Sequence, residues 1–203
     1  MLDQSYVGYV GSRTVSIEDH HFTQATVEKT LVHGHAVVSG GAKGIDTISQ
    51  ITALQRDGIV LEFIADSMIN RLKNTDVSQG IRHGRMLILS PVNPDAGFQT
   101  GVAMMRNKFI YAQSDATVVV RSENGKGGTW AGAIENLRHR WSPLYCWERP
   151  DYAGNAALIE KGAIAINETW NGDISASAYW QDNITTQTNI ASNGKQLSMW
   201  DAE

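Results

Sequence analysis

The segment Val37-Val38-Ser39-Gly40-Gly41-Ala42-Lys43-Gly44-Ile45-Asp46 joins an apolar strand to a helix through a glycine-rich turn. Glycine admits positive φ and lets a ligand come close to the main chain. The N–H groups left free where the helix begins favour an anion, and Lys43 adds a mobile positive charge. The segment therefore reads as a phosphate-binding turn, for a nucleotide or for a nucleic-acid backbone. It has neither the spacing G-x-x-x-x-G-K-[ST] nor G-x-G-x-x-G, which argues against a P-loop ATPase and an ordinary dinucleotide site. The plain alternative is a strand-to-helix turn that holds no ligand.

Two other segments repeat the arrangement. Tyr6–Val10 is a strand that ends in Gly11-Ser12-Arg13, and a helix starts near Ser16, where Ser16 and Asp19 form a capping box with a short acid. The β-branched run Ala116–Arg121 suits a strand buried on both faces. It leads through Gly125-Lys126-Gly127-Gly128-Thr129 into a helix from Thr129 to Arg138. Further strands are predicted at Ala36–Ser39, Ile59–Ile64, Arg85–Leu89, Leu144–Trp147 and Ala163–Ile166. Helices are predicted at Ile17–Val32, Ile45–Arg56, Asp66–Leu72, Gln99–Gln113 and Asn155–Lys161, with Lys73–Gly84 a polar interval. This alternation predicts an α/β fold: a Rossmann-like, mostly parallel sheet with helices on both faces, in a single domain over residues 1–170. Its three glycine turns gather on one rim, where such sheets bind ligands. Residues 171–203 read as a polar tail, weakly ordered or packed locally through Trp180 and Trp200.

A chain of 203 residues with 42% hydrophobic content can bury one substantial core. No apolar run approaches the roughly 20 residues that span a bilayer, and no signal peptide opens the chain. The lone Cys146 permits no internal disulfide and fits a reducing cytoplasm, and its place in a strand reads as a buried thiol. A net charge of −4 argues against a strongly basic nucleic-acid binder, but the charge is uneven. Arg106, Lys108, Arg121, Lys126, Arg138 and Arg140 outnumber the acids around them, while the stretch from Asn171 onward is acidic. This is either a positive rim with an acidic tail or a scatter of solvated charges.

The chain resembles the Rossmann-like core of the DprA (Smf) family of DNA-processing proteins, which is related to the lysine-decarboxylase-like phosphoribohydrolases. Val10-Gly11-Ser12-Arg13 matches the opening V-G-S-R, and Val38–Asp46 matches S-G-x-A-[RK]-G-I-D. Arg106–Ser114 is similar to R-N-R-I-I-A-x-L-S, and Gly127–Ala133 falls where the family has S-G-[ST]-L-x-T-A. Gly154–Ala163 is close to G-x-N-x-L-I-x-x-G-A. The segment Ala65–Asn70 departs from the usual G-x-x-x-x-Y-P, and Phe98–Met105 lacks a Phe-Pro pair.

The resemblance implies binding of single-stranded DNA without catalysis and without a cofactor. A RecA-type recombinase and a second copy of the chain are further candidate partners, and no membrane is implied. The site it implies comprises Gly11, Ser12, Arg13, Ser39, Gly40, Gly41, Lys43, Gly44, Arg106, Asn107, Lys108, Lys126, Gly127, Gly128 and Thr129. Arg106 and Lys108 lie two apart on a helix, so they diverge by about half a turn and cannot both enter one pocket. One of them would then bind ligand while the other pairs with an acid, and Arg106 also suits an internal pair with Asp46 or Asp115.

An enzymatic alternative is a nucleotide-binding or nucleotide-hydrolysing relative of the phosphoribohydrolases, whose motif is P-G-G-x-G-T-x-x-E. Gly132 stands where that glutamate belongs, and Glu135 lies one helical turn on, as an exposed residue facing Arg138 or His139. Asp46 is a candidate carboxylate for a ribose. His33 and His35 lack companions at metal-ligand spacing. Trp130 is placed either to stack on a base or to pack its helix on the sheet.

Overall fold

Hydrophobic patterning dictates a sheet buried on both faces, and the computed structural model, which describes residues 2–175, shows one. Its strands are β1 (Tyr6–Val10), β2 (Ala36–Ser39), β3 (Val60–Phe63), β4 (Met86–Leu89), β5 (Ala116–Val119), β6 (Leu144–Trp147) and β7 (Ile164–Ile166). The helices are α1 (Ile17–Val32), α2 (Ile45–Gln55), α3 (Met68–Arg71), α4 (Thr75–Arg82), α5 (Thr100–Gln113), α6 (Gly127–His139) and α7 (Ala153–Glu160). All seven strands are parallel, in the order β4-β3-β2-β1-β5-β6-β7.

From β1 the chain steps outward one way through β2, β3 and β4, then returns to β5 and steps the other way. Right-handed crossovers therefore put α1, α2 and α4 on one face and α5, α6 and α7 on the other. Packing of α1 on α2, and of α5 on α6, agrees with that division. The central strands β1, β2, β5 and β6 are buried along their whole length. Val7, Val38, Leu61, Val119, Leu144 and Leu158 are among the fully enclosed apolar side chains.

Local signals explain the ends. Ser16 caps α1 through the predicted capping box, with Ser16 Oγ accepting from Asp19 N and Asp19 Oδ2 accepting from Ser16 N. The polar interval 73–84, to which the sequence assigned no element, contains α4, capped by Asn74, whose Oδ1 accepts from Val77 N. Only Val77 and Gly80 of α4 are buried, too few to make a helical stripe visible in the sequence. β5 ends at Val119, so Arg121 leaves the predicted strand for the loop beyond it. α6 begins at Gly127, two residues ahead of the predicted start. The predicted tail lies, from residue 176 on, outside the described residues, and Trp180 and Trp200 lie there with it.

Candidate nucleic-acid interface

β1 and β5 are neighbours whose chains leave toward opposite faces of the sheet. This is the topological switch point, where an open parallel sheet leaves a crevice beyond its carboxyl ends. A cleft of about 480 Å³ occupies that position. Its walls are the turn after β1 (Gly11, Ser12, Arg13 and Thr14), the loop after β5 (Arg121, Ser122 and Glu123), the start of α6 (Lys126 to Thr129) and the first turns of α5. Thr129 Oγ1 donates to Gly11 O at 3.0 Å and ties the first turn to the third.

The structure divides the residues named from sequence into two groups. Gly11, Ser12, Arg13, Arg106, Asn107, Lys126, Gly127, Gly128 and Thr129 all line the cleft. From the second glycine turn only Ala42 and Asp46 reach it, whereas Ser39, Gly40, Gly41, Lys43 and Gly44 stand outside its lining. Ser39 is buried, donating from Oγ to Tyr9 O at 2.9 Å. Lys43 is exposed on the loop. Gly40 and Gly41 are demanded from below: a Cβ at Gly40 would collide with the Arg106 guanidinium, and one at Gly41 with the Glu62 carboxylate. Gly41 also has φ of +67°, which favours glycine.

Beneath that turn lies an ionic cluster. Arg106 is buried, and its Nη1 donates to Gly40 O and to Phe63 O, the latter at 2.6 Å. Asp46 is buried beside it, with Oδ2 accepting from Ala42 N at 3.3 Å. Glu62, wholly enclosed, takes both arms of Arg71, at 2.6 and 2.9 Å. Burial pushes the Asp46 carboxyl up to about 6 even though Arg106 pulls it down. Burial likewise raises Glu62, against the pull of Arg71, and lowers Arg106. Arg106 therefore clamps the end of β2 to the end of β3, and its partners are internal. Its half-turn neighbour Lys108 points outward to Glu135 at 2.6 Å. Glu135 is thereby half-buried against α5, rather than exposed toward Arg138 or His139.

The cations left facing the cleft are different ones. Arg13 and Lys126 are exposed, and among the described residues neither has a carboxylate within ion-pair distance. Lys126 precedes α6, whose first N–H groups and helix dipole present positive potential at the same place. Arg121, read from sequence as a strand-end residue and as one charge of a candidate positive rim but not as a site residue, lines the cleft. Its Nη1 donates to the enclosed Asp19 Oδ2 at 3.2 Å, and its guanidinium lies 5.0 Å from the Tyr152 ring centroid. Tyr152 OH donates to the other Asp19 oxygen at 2.7 Å, which fixes the carboxylate that orients Arg121. Asn155 braces the same loop, accepting from Ser122 N at 2.8 Å and donating to Val120 O and Trp147 O.

The sequence pattern of the DNA recombination-mediator protein A family matches residues 1–175. The chain belongs to that family. It is 26% identical over 164 residues to the DNA processing protein DprA of Bacillus subtilis (strain 168), covering 79% of this chain and 55% of that protein. The chain thus spans about half the length of this curated relative. The DprA structure of Streptococcus pneumoniae superposes with a TM-score of 0.72 at 22% identity, covering 81% of this chain and 59% of that one. The DprA of Helicobacter pylori, solved for its single-stranded DNA binding mode, superposes at 0.68 with 24% identity, covering 93% and 83%.

In this chain Gly132 stands where the phosphoribohydrolase motif would need its glutamate. It is buried, and a Cβ there would lie 2.9 Å from the Tyr111 ring. No carboxylate can replace it without displacing that ring. Trp130 is half-buried against the core cluster and is not part of the cleft wall. Cys146 is enclosed, and burial pushes its thiol well up. Among the described residues no group of three metal-ligating side chains converges, and no helix is long and apolar enough to cross a membrane.

Proposed function

We propose that the chain binds single-stranded DNA in the switch-point cleft, with backbone phosphates on the α6 N-terminus and on Arg13 and Lys126. One observation carries this reading: two exposed cations without acidic partners among the described residues flank a glycine-rich helix start at the carboxyl edge of the sheet. Family membership and the named binding mode of the Helicobacter pylori relative support it. The reading is of binding without catalysis, since Gly132 carries no carboxylate and Glu135 is engaged by Lys108. A ribose-binding role for Asp46 is disfavoured by its burial and by its bond to Ala42 N. Recombinase loading and a homodimer belong to the same proposal. They are tested by whether the chain accelerates RecA filament growth on coated single strands, and by its mass in solution. Its place of action on this reading is the cytoplasm.

The deciding experiment is fluorescence anisotropy of a labelled oligonucleotide at several salt concentrations, comparing wild type with Arg13→Ala and Lys126→Ala. Each lost phosphate contact should lower the slope of log K against log salt by about 0.7. Absence of binding at low salt would overturn the reading and direct the search to mononucleotides in the same cleft.

A further inference from the structure

Phe98 is 54% exposed, the most exposed phenylalanine among the described residues. A single exposed aromatic ring is ordinary on a protein surface. This one differs in its neighbours. It stands in the loop between β4 and α5, and its side chain lines the switch-point cleft. The Arg13 guanidinium lies over its ring, 5.8 Å from the centroid. The other exposed phenylalanine, Phe109, has its ring stacked against Phe63 at 5.7 Å and takes no part in the cleft wall. Among the described residues Phe98 has no aromatic partner of its own; its ring contact is the cation expected to meet phosphate.

A single-stranded nucleic acid offers a repeated unit, a phosphate with an unpaired base a few ångströms away. A surface that grips it combines positive charge along the backbone with aromatic faces on which bases stack. Of the two roles the sequence left open for Trp130, stacking on a base or packing its helix on the sheet, the structure shows the packing. The cleft's exposed ring is Phe98, and its neighbour Arg13 places a phosphate ligand within one nucleotide of it. A guanidinium over an aromatic ring is moreover held in a defined direction by the ring quadrupole, so Phe98 also orients Arg13.

We infer that Phe98 is the stacking platform for an unpaired nucleobase whose adjoining phosphate is held by Arg13. This rests on the proposed reading of the cleft and adds to it the base-contacting residue. The contact is sequence-tolerant, because every base has a π-face, and it discriminates against duplex DNA, whose bases are already stacked.

The test uses the full chain and a single-stranded oligonucleotide carrying 2-aminopurine, with Phe98→Ala and Phe98→Trp as variants. Phe98→Ala should weaken binding roughly 5- to 150-fold, the range one base–aromatic stack is worth. Its salt slope should equal that of wild type, because no phosphate contact is lost. Phe98→Trp should keep or strengthen binding, and 2-aminopurine fluorescence should be quenched by wild type and not by Phe98→Ala. An oligonucleotide with an abasic site at the stacked position should bind wild type as weakly as intact DNA binds Phe98→Ala. If Phe98→Ala binds as wild type does, with the same quenching, the stacking platform is refuted while the cleft stands. If wild type binds no oligonucleotide at low salt, the reading of the cleft fails, and the platform fails with it.

Discussion

Replacing Arg106 by alanine should unfold the protein more readily rather than merely weaken the proposed grip on DNA. The guanidinium is buried and donates to two backbone carbonyls, Gly40 O and Phe63 O. It is also the attracting charge acting on Asp46, and it adds to the stronger pull of Arg71 on Glu62. Alanine would strand both carbonyls and leave Asp46 without its cation. Removing one partner of a buried ionic group costs about 3–5 kcal/mol. For a chain of this size each kcal/mol shifts the melting temperature by roughly 2–4 °C, so the variant should melt about 6–20 °C lower. Arg106→Lys retains the charge but cannot span two carbonyls with a planar fork, and should fall between the two. Urea denaturation and calorimetry give the numbers, and anisotropy at a temperature where both proteins are folded gives the affinity. A ligand-contacting arginine would behave oppositely. If Arg106→Ala keeps the wild-type midpoint and loses oligonucleotide affinity with a lower salt slope, the clamp assigned here is wrong.

Two other perturbations test neighbouring parts of the same architecture. The folded chain holds the Asp46 proton up to about pH 6, whereas an unfolded aspartate releases it near 3.8. Between those values the folded state carries more protons, so stability falls as pH rises, by up to about 3 kcal/mol, and flattens above pH 6. Asp46→Asn should remove most of that decline in urea midpoints measured from pH 4 to 7, leaving the weaker contribution of Glu62, which has the same sign. Asn155→Ala would orphan Ser122 N, Val120 O and Trp147 O, at about 1 kcal/mol each, and should lower stability by roughly 3 kcal/mol. It should also weaken oligonucleotide binding, because the loop carrying Arg121 loses its brace; unchanged stability would refute the bracing role.

The order of strands and helices was readable because each strand is a short β-branched or apolar run, and β1 and β2 run directly into a glycine with a helix soon after. Strand ends were less readable, since hydrophobicity continues past the last ladder bond, as at Val120 beyond β5. α4 escaped because its one apolar contact surface is Val77 and Gly80. The half-turn divergence of Arg106 and Lys108 was a consequence of helix geometry and holds: one faces in, the other meets Glu135. What each arginine touches was not readable. Arg106's partners are main-chain oxygens 66 and 43 residues away, and a carbonyl carries no residue-type signal. Arg121 was hidden similarly, for its partner Asp19 looked like a helix cap and nothing more. A capping carboxylate has a second oxygen, and Tyr152 takes it.

These assignments change the meaning of the glycine motif. Read as sequence, Ser39-Gly40-Gly41-Ala42-Lys43-Gly44 is the strongest phosphate signal in the chain. In the fold, Gly40 and Gly41 are small because Arg106 and Glu62 lie directly under them, and the turn is the roof of a buried ionic cluster. The weaker-looking turn, Gly125 to Thr129, is the one whose glycines are exposed: Gly127 and Gly128 line the cleft, and a Cβ at either would meet nothing closer than 3.7 Å. Glycines required by packing and glycines that leave a helix start open to a ligand are indistinguishable as letters, but they respond oppositely to alanine. At Gly40 or Gly41 the added methyl must displace buried charge, so stability drops. At Gly128 it meets only ordinary contacts, with Asn107 and Met104 at 3.7 Å, so stability stays near wild type and any effect falls on the ligand's approach. On the proposed reading of the cleft, the phosphate site of this domain therefore belongs to the β5–α6 turn, and the β2–α2 turn holds the cleft-lining Asp46 in place.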